Sequence, residues 1–104
     1  MCLHFLRVSD RIKIMKAKFK ELEKIVRGFS NHRRIEILEL LEKEPDLSLT
    51  EIAAIVRINF KTAGEHVRRL SNAGLVWKRN DFKSVRHTLS PRGKVVLRFL
   101  RTLE

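Results

Sequence analysis

Apolar residues recur at spacings of three and four from Ile12 through Met15, Phe19, Leu22 and Val26 to Phe29, while Lys13, Lys16, Lys20, Lys24 and Arg27 fall off that stripe. The spacing is of heptad type and predicts an amphipathic helix over residues 9–29, with Ser9 or Asp10 as its cap. Residues 31–43 repeat the helical period, with Ile35, Leu38 and Leu41 inward and Ile37 and Leu40 widening the face. Glu39 and Lys43 stand at i,i+4, and Pro45 ends this helix. Ser48 and Glu51 have capping-box spacing and open a short helix with Ile52, Ala53 and Val56 inward. Arg57 and Ile58 make a turn, and Asn59 caps a helix over residues 60–72 whose inward stripe is Ala63, Val67 and Leu70. Gly74 stops it.

The period then shortens. Leu75 to Arg79 and Val85 to Leu89 read as strands joined by the polar turn NDFKS, which predicts a β-hairpin. Ser90 followed by Pro91 is a cap and a first-turn proline. It opens a last helix to about Leu103, with Val96, Phe99, Leu100 and Leu103 apolar. The expected architecture is mainly α with a small β-hairpin. Its order of helix, helix, helix–turn–helix, wing, helix is that of a winged helix-turn-helix. At 104 residues a single domain is expected over residues 1–104, with residues 1–8 a tail and Met15 an alternative start.

Charge changes the picture. The net charge is +11, and it is segregated: +5 over residues 1–28, −3 over 29–56, +6 over 57–87 and +3 over 88–104. Segregated positive charge is the footprint of a polyanion partner. No apolar run reaches the roughly 20 residues of a membrane span, and no signal peptide is evident. The one cysteine, Cys2, forms no internal disulfide, so a cytoplasmic protein is expected.

From Ser30 to about Gly93 the chain resembles the ArsR-type family of bacterial and archaeal transcription regulators. NHRRIEILELL resembles that family's second helix, SLTEIA the first helix of its helix–turn–helix, and NFKTAGEHVRRLSNAGLV its recognition helix and the start of its wing. The matching positions include Asn59, Thr62, His66, Val67, Leu70 and Ala73 to Val76. The resemblance implies a homodimer on double-stranded DNA, with the first and last helices as the dimer interface. That interface would use Ile12, Met15, Phe19, Leu22, Val26, Val96, Phe99, Leu100 and Leu103. Three positions depart from the pattern. Arg57 stands where the family often has Gly, at a steric cost of about 1 kcal/mol if the turn needs a positive φ. Gly64 lies inside the recognition helix, and Glu65 lies on its outward face, where pairing with Arg68 or Arg69 is expected.

With Ala63, Val67 and Leu70 inward, Lys61, Thr62, Glu65 and Arg68 point outward, flanked by Phe60 and Arg69. Lys or Arg on guanine and Thr against a thymine methyl are the expected base contacts. Lys78, Arg79, Lys83 and Arg86 on the hairpin are expected to meet phosphates, and Asn59 and His66 complete the candidate DNA-binding set. Trp77 reads as core or wing-root packing, and Phe82 stands at the wing tip. Metal sensing is disfavoured: SLTEIA carries no Cys, and residues 91–104 carry neither His nor Asp. Cys2 and His4 alone make a weak site. No cofactor and no catalysis are expected, since neither a Gly-rich phosphate loop nor an H-E-x-x-H helix is present. Protein-interaction modules and architectural DNA- or RNA-binding proteins carry similar features and remain the competing readings. A small-molecule effector is neither supported nor excluded.

Overall fold

The computed structural model describes residues 7–104, so Cys2 and His4 lie outside the described residues. Its elements are α1 (Val8–Phe29), α2 (His32–Lys43), α3 (Leu49–Val56), α4 (Phe60–Asn72), β1 (Val76–Asn80), β2 (Val85–Leu89) and α5 (Pro91–Arg101). The expected fold class is the observed one. Local chemistry sets most boundaries. Asn31 accepts from the backbone N–H groups of Arg33 and Arg34 at the start of α2. Ser48 and Glu51 form the full capping box of α3. Asn59 accepts from Thr62 N–H at 2.7 Å, and Ser90 accepts from Gly93 N–H ahead of Pro91. Each such cap satisfies backbone donors that a helix start leaves free. The expected cap of α1 is corrected. The helix opens at Val8 behind Arg7, which makes no side-chain cap, and Ser9 and Asp10 lie within the first turn.

The core is shared by α2 to α5 and the hairpin. Ile37, Leu38, Leu41, Ile52, Leu70, Leu75 and Leu97 are essentially solvent-free. Ile37 belongs to this centre, whereas Ile35 is only half-buried, the reverse of the expected ranking. Apolar positions nearly ring α2, and tertiary packing rather than period selects its inner face. Glu39 does not pair with Lys43. It meets Arg101 of α5 at 3.3 Å, and Glu42 bonds the same guanidinium. Val96 is only 8% exposed and packs in this core, so its assignment to a dimer face is overturned; Val95, one position earlier, is the exposed residue.

The hairpin is antiparallel, with Val76 opposite Leu89 and Asn80 opposite Val85. Its inner face is anchored by His87, whose backbone N–H and ring Nδ1–H both donate to the Leu47 carbonyl at 2.9 Å. Burial holds the His87 pKa below the ordinary histidine value. Trp77 is not packed: it lies opposite Thr88 and is 57% exposed. A two-stranded sheet has one face on the core, and Trp77 is on the other.

Two backbone sites position α4. Arg57 ends α3 in the left-handed region, at φ 63° and ψ 50°, so the turn between α3 and α4 does need a positive φ. At the other end, α1 crosses α4 closely: a Cβ on Gly28 would overlap Ala73 Cβ.

Candidate nucleic-acid interface

The α4 stripe of Ala63, Val67 and Leu70 is buried, which turns Lys61, Glu65, Arg68 and Asn72 to the opposite, solvent-facing side. Glu65 does pair on that side. Its carboxylate accepts from Arg68 at 2.6 and 3.2 Å and from Arg69 Nε at 3.1 Å. The Arg68 hydrogen bonds lead the effects that hold the Glu65 pKa below the usual carboxylate value. Lys61 joins no ion pair among the described residues. Phe60 is exposed beside it, and Thr62 is half-buried. The Asn59 oxygen is committed to the helix cap.

His66 is not on the open face. It is half-buried, and its Nδ1 is buried without a hydrogen-bond partner among the described residues. Burial, and next the charge of Arg34, push its pKa down.

The four wing cations divide into two pairs. Arg86 reaches Glu51 at 2.8 Å and Asp81 at 3.6 Å, and donates to the Asp46 carbonyl. Arg79 meets Asp46 at 3.3 Å. These two arginines brace the wing against α3 and the loop before it. Lys78 and Lys83 are exposed. Phe82 is 99% exposed at the tip, where Asp81 Oδ1 accepts from its backbone N–H at 2.7 Å. Between the N-termini of α3 and α4 and the wing lies a groove of about 360 Å³, lined by Ser48, Thr50, Phe60, Lys78, Ser84 and His87 among others. Sequence reasoning missed Ser48 and Thr50 as members of this surface. Ser48 carried a capping signal, which masked its place beside the wing, and Thr50 carried no signal of its own.

A second surface is apolar. Ile12, Met15, Phe19, Leu22 and Val26 on α1 are 44–55% exposed. On α5, Phe99 is exposed and Leu100 is half-buried against the core; Leu103, exposed, lies in the turn beyond the end of α5 at Arg101. Among the described residues no three His, Cys, Asp or Glu side chains gather where they would hold a metal, and no helix is long and apolar enough to cross a membrane.

Residues 30–76 match the winged helix-turn-helix DNA-binding family. A cadmium resistance transcriptional regulatory protein homologue of Staphylococcus aureus is 29% identical over 69 residues, which are 66% of this chain and 57% of that protein. The chain thus spans somewhat over half the length of that relative. Among solved structures, HlyU of Vibrio cholerae superposes with a TM-score of 0.74 at 25% identity, covering 88% of this chain and 96% of its own. The homodimeric winged helix-turn-helix domain of a possible ArsR-family regulator from Mycobacterium bovis gives 0.77 at 20% identity, covering 86% and 82%. NolR of Sinorhizobium fredii gives 0.77 at 19% identity, covering 94% and 93%. The last two likenesses establish the fold alone.

Proposed function

We propose that the chain, whose residues 30–76 match the winged helix-turn-helix DNA-binding family, is a homodimeric, sequence-specific DNA-binding transcription regulator of ArsR type. The observation that carries this reading is the two-sidedness of α4: a buried stripe holds it to the core, and its free side presents Lys61, Arg68 and Arg69 next to a braced wing. A single α-helix fits the major groove of B-DNA. In this reading Lys61 and Thr62, near the helix start, meet base edges. Glu65 either keeps Arg68 and Arg69 oriented or exchanges them for a cytosine amino group. Lys78 and Lys83 meet phosphates and release counterions, with Arg79 and Arg86 holding the wing in place.

The exposed stripes of α1 and α5 pack against a second copy. Two recognition helices then face half-sites about 34 Å apart, one helical turn of DNA. The protein acts by binding, not by catalysis. The cadmium in the name of the Staphylococcus relative is not carried over, because α3 and α5 supply no thiol or imidazole donors.

Fluorescence anisotropy of the DNA upstream of the protein's own gene, against a scrambled duplex at several salt concentrations, tests the proposal. A preference of roughly a thousandfold or more is expected. Absence of binding at low salt refutes it.

A further inference from the structure

Between the C-terminal turns of α1 and α4 lies a cleft of about 280 Å³, lined by Lys24, Arg27, Arg34, Arg68, Arg69 and Asn72 among others. Five of these six are cations. The close approach of α1 at Gly28 draws them together, although like charges repel. Their compensation is thin. Glu65 is shared between Arg68 and Arg69. Glu21 lies 3.8 Å from Lys24 and Glu23 lies 3.6 Å from Arg27, and all four side chains are well exposed. Pairs that long and that wet contribute little.

Arg34 is held at the cleft by its Nη1, which donates to the carbonyls of Arg27 and Gly28 at 2.9 and 3.2 Å. Its Nε is buried with no acceptor among the described residues. A buried donor of this kind calls for a partner. Burial, and then Arg69, lower its pKa, as expected of a guanidinium crowded by positive charge.

We infer that this cleft is a phosphate site that carries the DNA footprint from α4 onto α1, with Lys24, Arg27 and Arg34 joining Arg68 and Arg69 around one or two backbone phosphates. The inference rests on the DNA-binding reading for its ligand. Arg68 and Asn72 share the outward side of α4 with Lys61, at steps of seven and eleven residues, so a duplex seated on Lys61 leads its backbone past the cleft. A free phosphorylated molecule offers the same chemistry, and the test separates the two sources.

The test compares the full chain with K24Q/R27Q and with K13Q/K16Q, an equal charge loss on α1 outside the cleft. All four side chains are exposed, so both variants are expected to keep the native circular dichroism. Log affinity for duplex DNA is measured against log salt, and inorganic pyrophosphate is titrated while the Gly28 and Ala73 amides are followed by NMR. In K24Q/R27Q the salt slope should fall by about 1–2 units, at roughly 0.9 per phosphate contact. Affinity should drop alike on specific and scrambled duplexes, and K13Q/K16Q should change neither. An unchanged slope with pyrophosphate shifts that vanish in K24Q/R27Q keeps the phosphate site and assigns it to a free ligand. If the wild type binds no DNA, the regulator reading fails while the pyrophosphate titration still decides the cleft. Without pyrophosphate shifts, an unchanged slope, or equal slope losses in both variants, overturns the inference.

Discussion

Helices α1 and α4 carry the same kind of apolar stripe and meet opposite fates. In α4, Ala63, Val67 and Leu70 are 0–2% exposed, whereas in α1, Phe19, Leu22 and Val26 are at least half exposed. Spacing alone does not separate them. What separates them is what lies opposite. The α4 stripe faces α2 and α3, while α1 reaches the core through its C-terminal part, where Ile25 is half-buried and Gly28 and Phe29 are buried. A stripe in sequence shows that a helix has an apolar face. Whether the partner for that face belongs to the same chain is decided by topology.

The contrast is sharpest in truncation. Leu70→Ala should cost about 3 kcal/mol of unfolding free energy, as a fully buried leucine does. Leu22→Ala, measured in urea at concentrations dilute enough to dissociate any dimer, should cost less than about 1 kcal/mol. Similar losses at both sites would erase the distinction.

Next in size is the pair substitution F19E/L22E. It should leave the circular dichroism of the chain intact, abolish self-association, and weaken specific DNA binding by about 100-fold through loss of the linked second half-site. Retained dimerisation would show that the α1 stripe is not the seam.

A smaller effect belongs to the turn that aims α4. Arg57→Gly should stabilise the protein by about 0.5–1 kcal/mol, the left-handed strain relieved less the entropy glycine adds to the unfolded chain. Thermal or urea denaturation measures it, and destabilisation would mean that the Arg57 side chain contributes more than its backbone costs.

The smallest expected effect is a pH dependence. Burial lowers the pKa of both His87 and His66, so the unfolded chain binds more protons than the folded chain between the two states' pKa values. Stability should be full above about pH 6.5 and fall as pH drops through that value. His87→Asn keeps a donor for the Leu47 carbonyl without titrating, so its stability profile should be flatter below that point. An identical profile would leave His87 without a part in it.

What was legible in the sequence was local. Caps at Ser48, Asn59 and Ser90 act within three residues, and the pairing of Glu65 with Arg68 and Arg69 lies within one turn. What escaped was set by distant packing. Arg86 is drawn to Glu51, 35 positions away, which no spacing rule shows. Val96 and Val95 differ by one step on α5, and only the core reveals which is covered. The cleft joins Lys24 to Arg68 across most of the helical domain, so its cations looked in sequence like two unrelated basic helices.

Sedimentation equilibrium of the wild-type chain tests most directly whether the α1 face takes a second copy. A mass of twice the 12.3 kDa chain, reverting to the single-chain mass in F19E/L22E, is the predicted result. A wild-type chain that stays monomeric at tens of micromolar, or a variant that stays dimeric, would contradict it.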